Sequence, residues 1–178
     1  MKALKLTHLL LFIILCHSQV SCVDWIISED LTLAVEPYDG TELRMNGYYY
    51  YMQNNRIMDT YIFYKNGILI HGNYSENNDG NSICYMDSLF LSPRFLEGMN
   101  KYNYGAFHIT KDSIVIEKWM VLSGPHYVLL VSGNILNDTT FVINRNENSY
   151  TGNVFQMEKL FHFHAFSPKP DSTNVFIP

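Results

Sequence analysis

The sequence predicts an all-β chain: a mostly antiparallel meander closing into a small barrel, with one short helix near 92–97. Three observations predict it. Short runs of aromatic and β-branched residues recur between residues 43 and 166, separated by turn residues. The links between runs are short, which favours hairpins and antiparallel pairing. No long segment with a 3.6-residue apolar period lies between the runs, so a parallel sheet with helical crossovers is not expected. A meander of this size removes its exposed edges by closing or by stacking. Because nearly all links are local, closure is expected.

The N-terminus reads as an address. Lys2 and Lys5 precede an unbroken apolar run from Leu9 to Cys16. That run is shorter than the roughly 20 residues a membrane-spanning helix needs, so residues 1–21 are expected to be a signal peptide of the lipoprotein type. Ser21-Cys22 then supplies a small residue before a cysteine, the arrangement in which Cys22 receives the lipid and becomes the new N-terminus. Gln19 stands where the stricter motif has a leucine-like residue. Removing 1–21 takes away Lys2, Lys5 and no acid, so the formal charge moves from −5 to −7. An acidic chain with no Lys/Arg cluster argues against nucleic acid and against electrostatic attachment to anionic headgroups. The remaining length suits one domain with a sizeable core. Cys84 is expected either as a lone, buried, small hydrophobe or, if Cys22 is not acylated, as its disulfide partner.

Residues 22–42 form an anchor-proximal segment, with Leu31–Val35 either a first strand or part of a tether. The domain proper is expected over 43–166. A strand near 43–52 carries four consecutive tyrosines, of which Tyr49 and Tyr51 share one face and Tyr48 and Tyr50 the other. Strands near 59–65 and 68–74 flank Asn66-Gly67, read as a type I′ turn with positive φ at both residues. Ser75 to Asn81 is a polar loop without the spacing of a calcium-binding loop. In Ser92-Pro93-Arg94-Phe95-Leu96-Glu97-Gly98, Ser92 suits a helix cap and Pro93 the first helical position. This helix is either a lid over a cavity mouth or a plain connection. Strands follow at Tyr104–Thr110, Ser113–Met120, His126–Leu136, Thr139–Asn144 and Val154–Phe166, with a tail over 167–178. Ile114 and Ile116 share a face, as do Phe141 and Ile143, and likewise Met157, Phe161, Phe163 and Ala165.

Little in the chain suggests catalysis or a metal. His162 and His164 share a strand face with Glu158, but no third ligand is implied, and solvated histidines are the expectation. Ser123 has no nucleophile elbow around it. The acids form no catalytic pair, and no phosphate loop or dinucleotide fingerprint is present. No cofactor and no catalytic residue is expected.

Several segments together resemble a known group. Ser21-Cys22, the run Leu43-Arg44-Met45-Asn46-Gly47-Tyr48-Tyr49-Tyr50, Tyr104-Gly105 and the spaced Ile109 and Ile114 are among them. So are Asn137-Asp138-Thr139-Thr140-Phe141 and Phe166-Ser167-Pro168-Lys169-Pro170. In this order they resemble an uncharacterised family of Bacteroidetes-type lipoproteins. The resemblance implies a lipocalin-like β fold. It also implies an address in the bacterial cell envelope, on the inner or outer membrane, facing the periplasm or the cell surface. It implies no activity.

Two functions are expected from different classes. One is a binding module whose barrel mouth takes a small, partly apolar ligand. The other is a structural or interaction protein that docks another envelope protein through a sheet face. Periodicity places a ligand among Tyr49, Tyr51, Tyr61, Phe63, Trp119 and Tyr127, where rings with polar tips suit a half-wet wall. The deciding quantity is how far Phe63, Phe107, Phe141, Phe161 and Phe163 fill the interior.

Overall fold

The computed structural model describes residues 30–73, 82–121 and 126–177. The expected signal segment, Cys22, the segment 75–81 expected as a polar loop and Ser123-Gly124-Pro125 lie outside the described residues. The strands are β1 (Gly47–Gln53), β2 (Arg56–Phe63), β3 (Ile68–Asn73), β4 (Tyr104–Thr110), β5 (Ser113–Val121), β6 (His126–Asn137), β7 (Thr140–Asn148) and β8 (Val154–Ala165). Each pairs antiparallel with the next, and β1 pairs with β8, so the eight strands form a closed antiparallel barrel. Between β3 and β4 lie helix α1 (Ile83–Phe90), helix α2 (Pro93–Gly98) and a 3-10 turn (Lys101–Asn103).

The first strand begins at Gly47 rather than at residue 43. Gly47 faces Ala165 of β8 so closely that a Cβ would run into the backbone of His164. Residues before it leave the sheet. The turn chemistry also differs from expectation. Asn54 and Asn55 take φ of 52° and 61° and make the two-residue β1–β2 hairpin. At Asn66-Gly67 only Gly67 has positive φ, at 82°. The Gly67 amide donates to the Tyr64 carbonyl and the Tyr64 amide to that of Ile68, so three residues rather than two turn the chain.

Helix α1 follows the expected polar loop and is not itself expected from the sequence. Ser82 caps it by accepting from the Tyr85 amide, and Met86 and Phe90, one turn apart, are buried. Phe90 meets Tyr48 and Phe166 edge-on or tilted, at ring centroids of 5.1 and 5.8 Å. The α1–α2 pair therefore covers the outer wall around β1 rather than the barrel mouth. Helix α2 stands where Ser92-Pro93 predicts it, with the Ser92 side chain accepting from the Phe95 amide. Cys84 is exposed on α1 instead of buried.

Two chain ends complete the molecule. Residues 30–46 form no strand; they run as a strap that is fastened at Glu117. The Glu117 carboxylate, only 4% exposed, accepts from the Thr32 amide at 2.6 Å, the Thr32 hydroxyl at 2.8 Å and the Leu33 amide at 2.6 Å. Further on, Tyr38 and Leu43 enter one end of the barrel and join its core. There the Arg44 amide donates to the Asp138 carbonyl, and the Tyr49 hydroxyl donates to the same oxygen at 2.8 Å. The C-terminal tail is held by Lys169, whose ammonium donates to the Met45 and Phe63 carbonyls at 2.6 and 2.8 Å and sits 4.1 Å from the Tyr64 ring centroid.

Charge-assisted hydrogen bonds each contribute about 1.5–3 kcal/mol. Glu117→Ala is therefore expected to lower stability by about 2–3 kcal/mol and to raise hydrogen exchange at Thr32 and Leu33. Urea unfolding with exchange mass spectrometry checks both; unchanged exchange at these amides would show that the strap is held elsewhere.

Candidate ligand-binding cavity

The inward residues divide the barrel into a filled half and an open half. At the strap end, Tyr49, Tyr61, Phe63, Phe107, Phe141 and Phe161 are each no more than 2% exposed and pack with Leu69, Ile114, Ile116 and Ile143. Phe141 and Phe161 stack with centroids 4.9 Å apart and planes 3° from parallel. Phe63 and Phe107 meet edge-on at 4.8 Å. No ligand-sized space remains among these rings.

Above the stack, toward the β1–β2 and β7–β8 hairpins, the filling stops. A cavity of about 480 Å³ opens there, walled by Tyr51, Met58, Met120, Tyr127, Leu129 and Phe155 and edged by side-chain amides such as Asn146 and Asn148. Its floor is charged. Asp59, Lys118 and Lys159 all line it, with Asp59 5% and Lys118 2% exposed. The Lys118 and Lys159 ammonium groups each lie 3.8 Å from a different oxygen of the Asp59 carboxylate. The Lys118 ammonium also donates to the Tyr61 hydroxyl at 2.9 Å.

A register shift between β1 and β2 builds this floor. Tyr51 faces Asp59 and Met52 faces Ile57, so Met58 is an extra residue in β2. Ile57 packs on the outer layer, while Met58 and Asp59 both line the cavity. On β5, Lys118 follows Ile114 and Ile116 on the inward face; on β8, Lys159 lies between inward Met157 and Phe161.

The electrostatics of this floor are unsettled by design of the fold. Burial pushes the Asp59 carboxyl upward, and the two ammonium groups pull it back. Burial pulls Lys118 down, against the attraction of Asp59. His71, inward on β3 beside Tyr61, is driven well below the ordinary imidazole value by burial and then by Lys118, so its ring is neutral. Asp59 Oδ1, Asn146 Oδ1 and both His71 ring nitrogens are buried without a hydrogen-bond partner. Native buried polar groups are nearly always partnered, and two of these residues, Asp59 and Asn146, line the cavity, while His71 lines a separate cleft with Gly72, Phe95 and Tyr102.

Of the six residues expected to line a ligand site, Tyr51 and Tyr127 line the cavity. Tyr49, Tyr61 and Phe63 belong to the packed stack beneath it. Trp119 faces outward, buried under the strap with the Lys101 ammonium 4.5 Å from its ring centroid. It borders an outer groove of about 520 Å³ between the strap and Phe176-Ile177. That groove is larger than the barrel cavity but has no buried ionisable group in its wall, so the barrel cavity is the better-equipped site. Sequence reasoning passed over Asp59, Lys118, Lys159 and Asn146. Their signal was their parity: each of the three charged residues sits in step with inward apolar neighbours.

His162 is exposed, and His164 pairs with Asp87 of α1 at 3.2 Å, with Tyr48 donating to the other oxygen of Asp87 at 3.0 Å. Among the described residues no three His, Cys, Asp or Glu side chains gather closely enough to hold a metal. No protein-family model, no curated protein and no solved structure matches this chain.

Removing one member of a buried ion pair costs about 3–5 kcal/mol, because it leaves a charge without its partner. Lys118→Met is expected to lose stability in that range, and the double variant Asp59→Asn with Lys118→Met to recover part of it. Urea midpoints of the singles and the double check this; strict additivity would show that the two groups do not interact.

Proposed function

We propose that this chain is an exported, lipid-anchored protein of the bacterial cell envelope whose barrel binds a small, partly apolar molecule. The observation that carries the binding reading is the half-filled interior. Aromatic packing closes one half, and the other holds a cavity of about 480 Å³ with buried, partnerless polar atoms at its floor. Ligand pockets commonly span 300–1,000 Å³, with apolar walls and a few placed polar groups. An eight-strand barrel has room for one small ligand. Tyr51, Tyr127 and Phe155 supply rings for its apolar part. The strap plugs the far end with Tyr38 and Leu43, so the hairpin end is the open one.

Leu129 lines the cavity wall and makes the test direct. A neutral fluorescent probe, N-phenyl-1-naphthylamine, is expected to brighten on binding the wild-type chain. Leu129→Trp should fill the space and weaken that binding about tenfold, with an unchanged urea midpoint. No binding of the probe, together with no small molecule released from the purified protein on denaturation, would retire the cavity in favour of a protein-docking role.

The address rests on Lys2, Lys5, the Leu9–Cys16 run and Ser21-Cys22. Intact-mass spectrometry of the mature protein is expected to show acyl chains at Cys22, and Cys22→Ala to move the protein out of the membrane fraction. A mature mass without lipid overturns the anchor.

A further inference from the structure

Resting on the cavity reading above, we propose that the bound molecule is a monoanion: a carboxylate-type head seated on Lys118 and Lys159, with a short apolar body against Tyr51, Tyr127 and Phe155. The floor carries two ammonium groups and one carboxylate, an excess of one positive charge, with Lys118 and Asp59 buried and Lys159 one-third exposed at the open side. Asp59 does not saturate either lysine. Both stand 3.8 Å from its oxygens, beyond the usual 2.7–3.2 Å of an N–H···O bond. An ammonium has three N–H donors. Lys118 places one on the Tyr61 hydroxyl, and among the described residues no second oxygen lies within hydrogen-bond reach. A head with two oxygens accepts from both lysines and cancels the excess charge. Charge-assisted bonds of this kind are shorter and stronger than neutral ones.

The rest of the wall limits the head to one negative charge. Asp59 lines the same space and repels a dianion, and among the described residues that line it Lys118 and Lys159 are the only cations. The unpartnered Asp59 Oδ1 accepts from a hydroxyl or N–H next to the head. A carboxylic acid bearing such a donor near its carboxylate fits the floor best. The apolar body points toward the hairpin end, where Tyr127, Leu129 and Phe155 stand among side-chain amides. A phosphate dianion and an unsubstituted hydrocarbon both leave part of this wall unsatisfied.

The test uses the full chain carrying Cys22→Ala, so that no acyl anchor competes for the site. Two matched probe pairs are titrated by calorimetry: octanoate against octanol, and 2-naphthoate against 2-naphthol. The acid of at least one pair is expected to bind about tenfold more tightly than its neutral partner. Lys159→Met should erase that preference, and Lys159→Arg should keep it. Lys159 is one-third exposed at its side chain, so its replacement is tolerated by the fold, and a urea midpoint confirms it. Equal binding of acid and neutral partner, or a preference that survives Lys159→Met, overturns the monoanion and leaves the cavity standing. Binding of none of the four probes, with no small molecule released on denaturation, removes the cavity reading itself.

Discussion

In an eight-strand barrel each strand sends every second side chain inward, so eight short parities decide what occupies the interior. Here those parities give two different contents. From β1, β2, β4, β7 and β8 they deliver Tyr49, Tyr61, Phe63, Phe107, Phe141 and Phe161 to one level of the barrel. Six rings at one level leave no room and make a rigid plug, because close packing of aromatic side chains tolerates little change of volume. At the next level the same parities deliver Tyr51, Asp59, Lys118 and Lys159, and a register shift in β7 adds Asn146. The transition takes one step along each strand: Phe161 to Lys159, Tyr61 to Asp59, Ile116 to Lys118. The closed and open ends of the barrel are therefore consequences of one constraint, interrupted by the register shift at Met58 in β2 and by further shifts along β6, β7 and β8.

The outer layer follows from the same alternation. Tyr48, Ile62, Ile68, Ile70 and Trp119 point outward and are nonetheless buried. A barrel with so many apolar residues on its outside needs a second layer, which α1, α2, the strap and the C-terminal tail supply. Three of the four are fixed by a polar fastening as well as by apolar contact: the strap by Glu117, α1 by Asp87 with Tyr48 and His164, the tail by Lys169. Burial draws Lys169 down to about 8, while two carbonyls and the Tyr64 face favour its charged form. These fastenings meet at the closed end and on the walls. None crosses the cavity, which leaves the open end structurally independent of the layer around it.

Much of this was legible in the sequence. Alternation placed Tyr49 with Tyr51 inside and Tyr48 with Tyr50 outside, and local links implied closure. Ser92-Pro93 marked α2. What escaped did so for physical reasons. Helix α1 has only two buried residues, Met86 and Phe90, too few for a clear helical period. The left-handed pair Asn54-Asn55 was overlooked because Asn-Gly at 66–67 is the stronger textual signal, yet the loop there has three residues. Residues 31–35 have the composition of a strand, but the Thr32 and Leu33 amides are satisfied by a buried carboxylate at position 117, and nothing local announces that. Trp119 was drawn to the ligand site by its type, although its parity opposes that of Ile114 and Ile116. Parity was the better guide than residue type in each of these strands.

The same comparison explains why the charged floor is informative. Replacing a buried ion pair by apolar residues of similar volume is often neutral or stabilising. The level beneath shows that this chain can fill a barrel cross-section with rings. Lys118, 2% exposed, ion-paired at 3.8 Å and hydrogen-bonded among the described residues only to the Tyr61 hydroxyl, and Asp59, with one oxygen lacking a hydrogen bond, are therefore not what stability alone selects at these positions. Their incomplete bonding lies at the boundary between packed and open volume, facing the open side. Groups held at fixed positions in a low-dielectric floor interact strongly with a charged molecule that displaces the remaining water. The close-packed aromatic level below holds these groups at fixed positions beside the open volume.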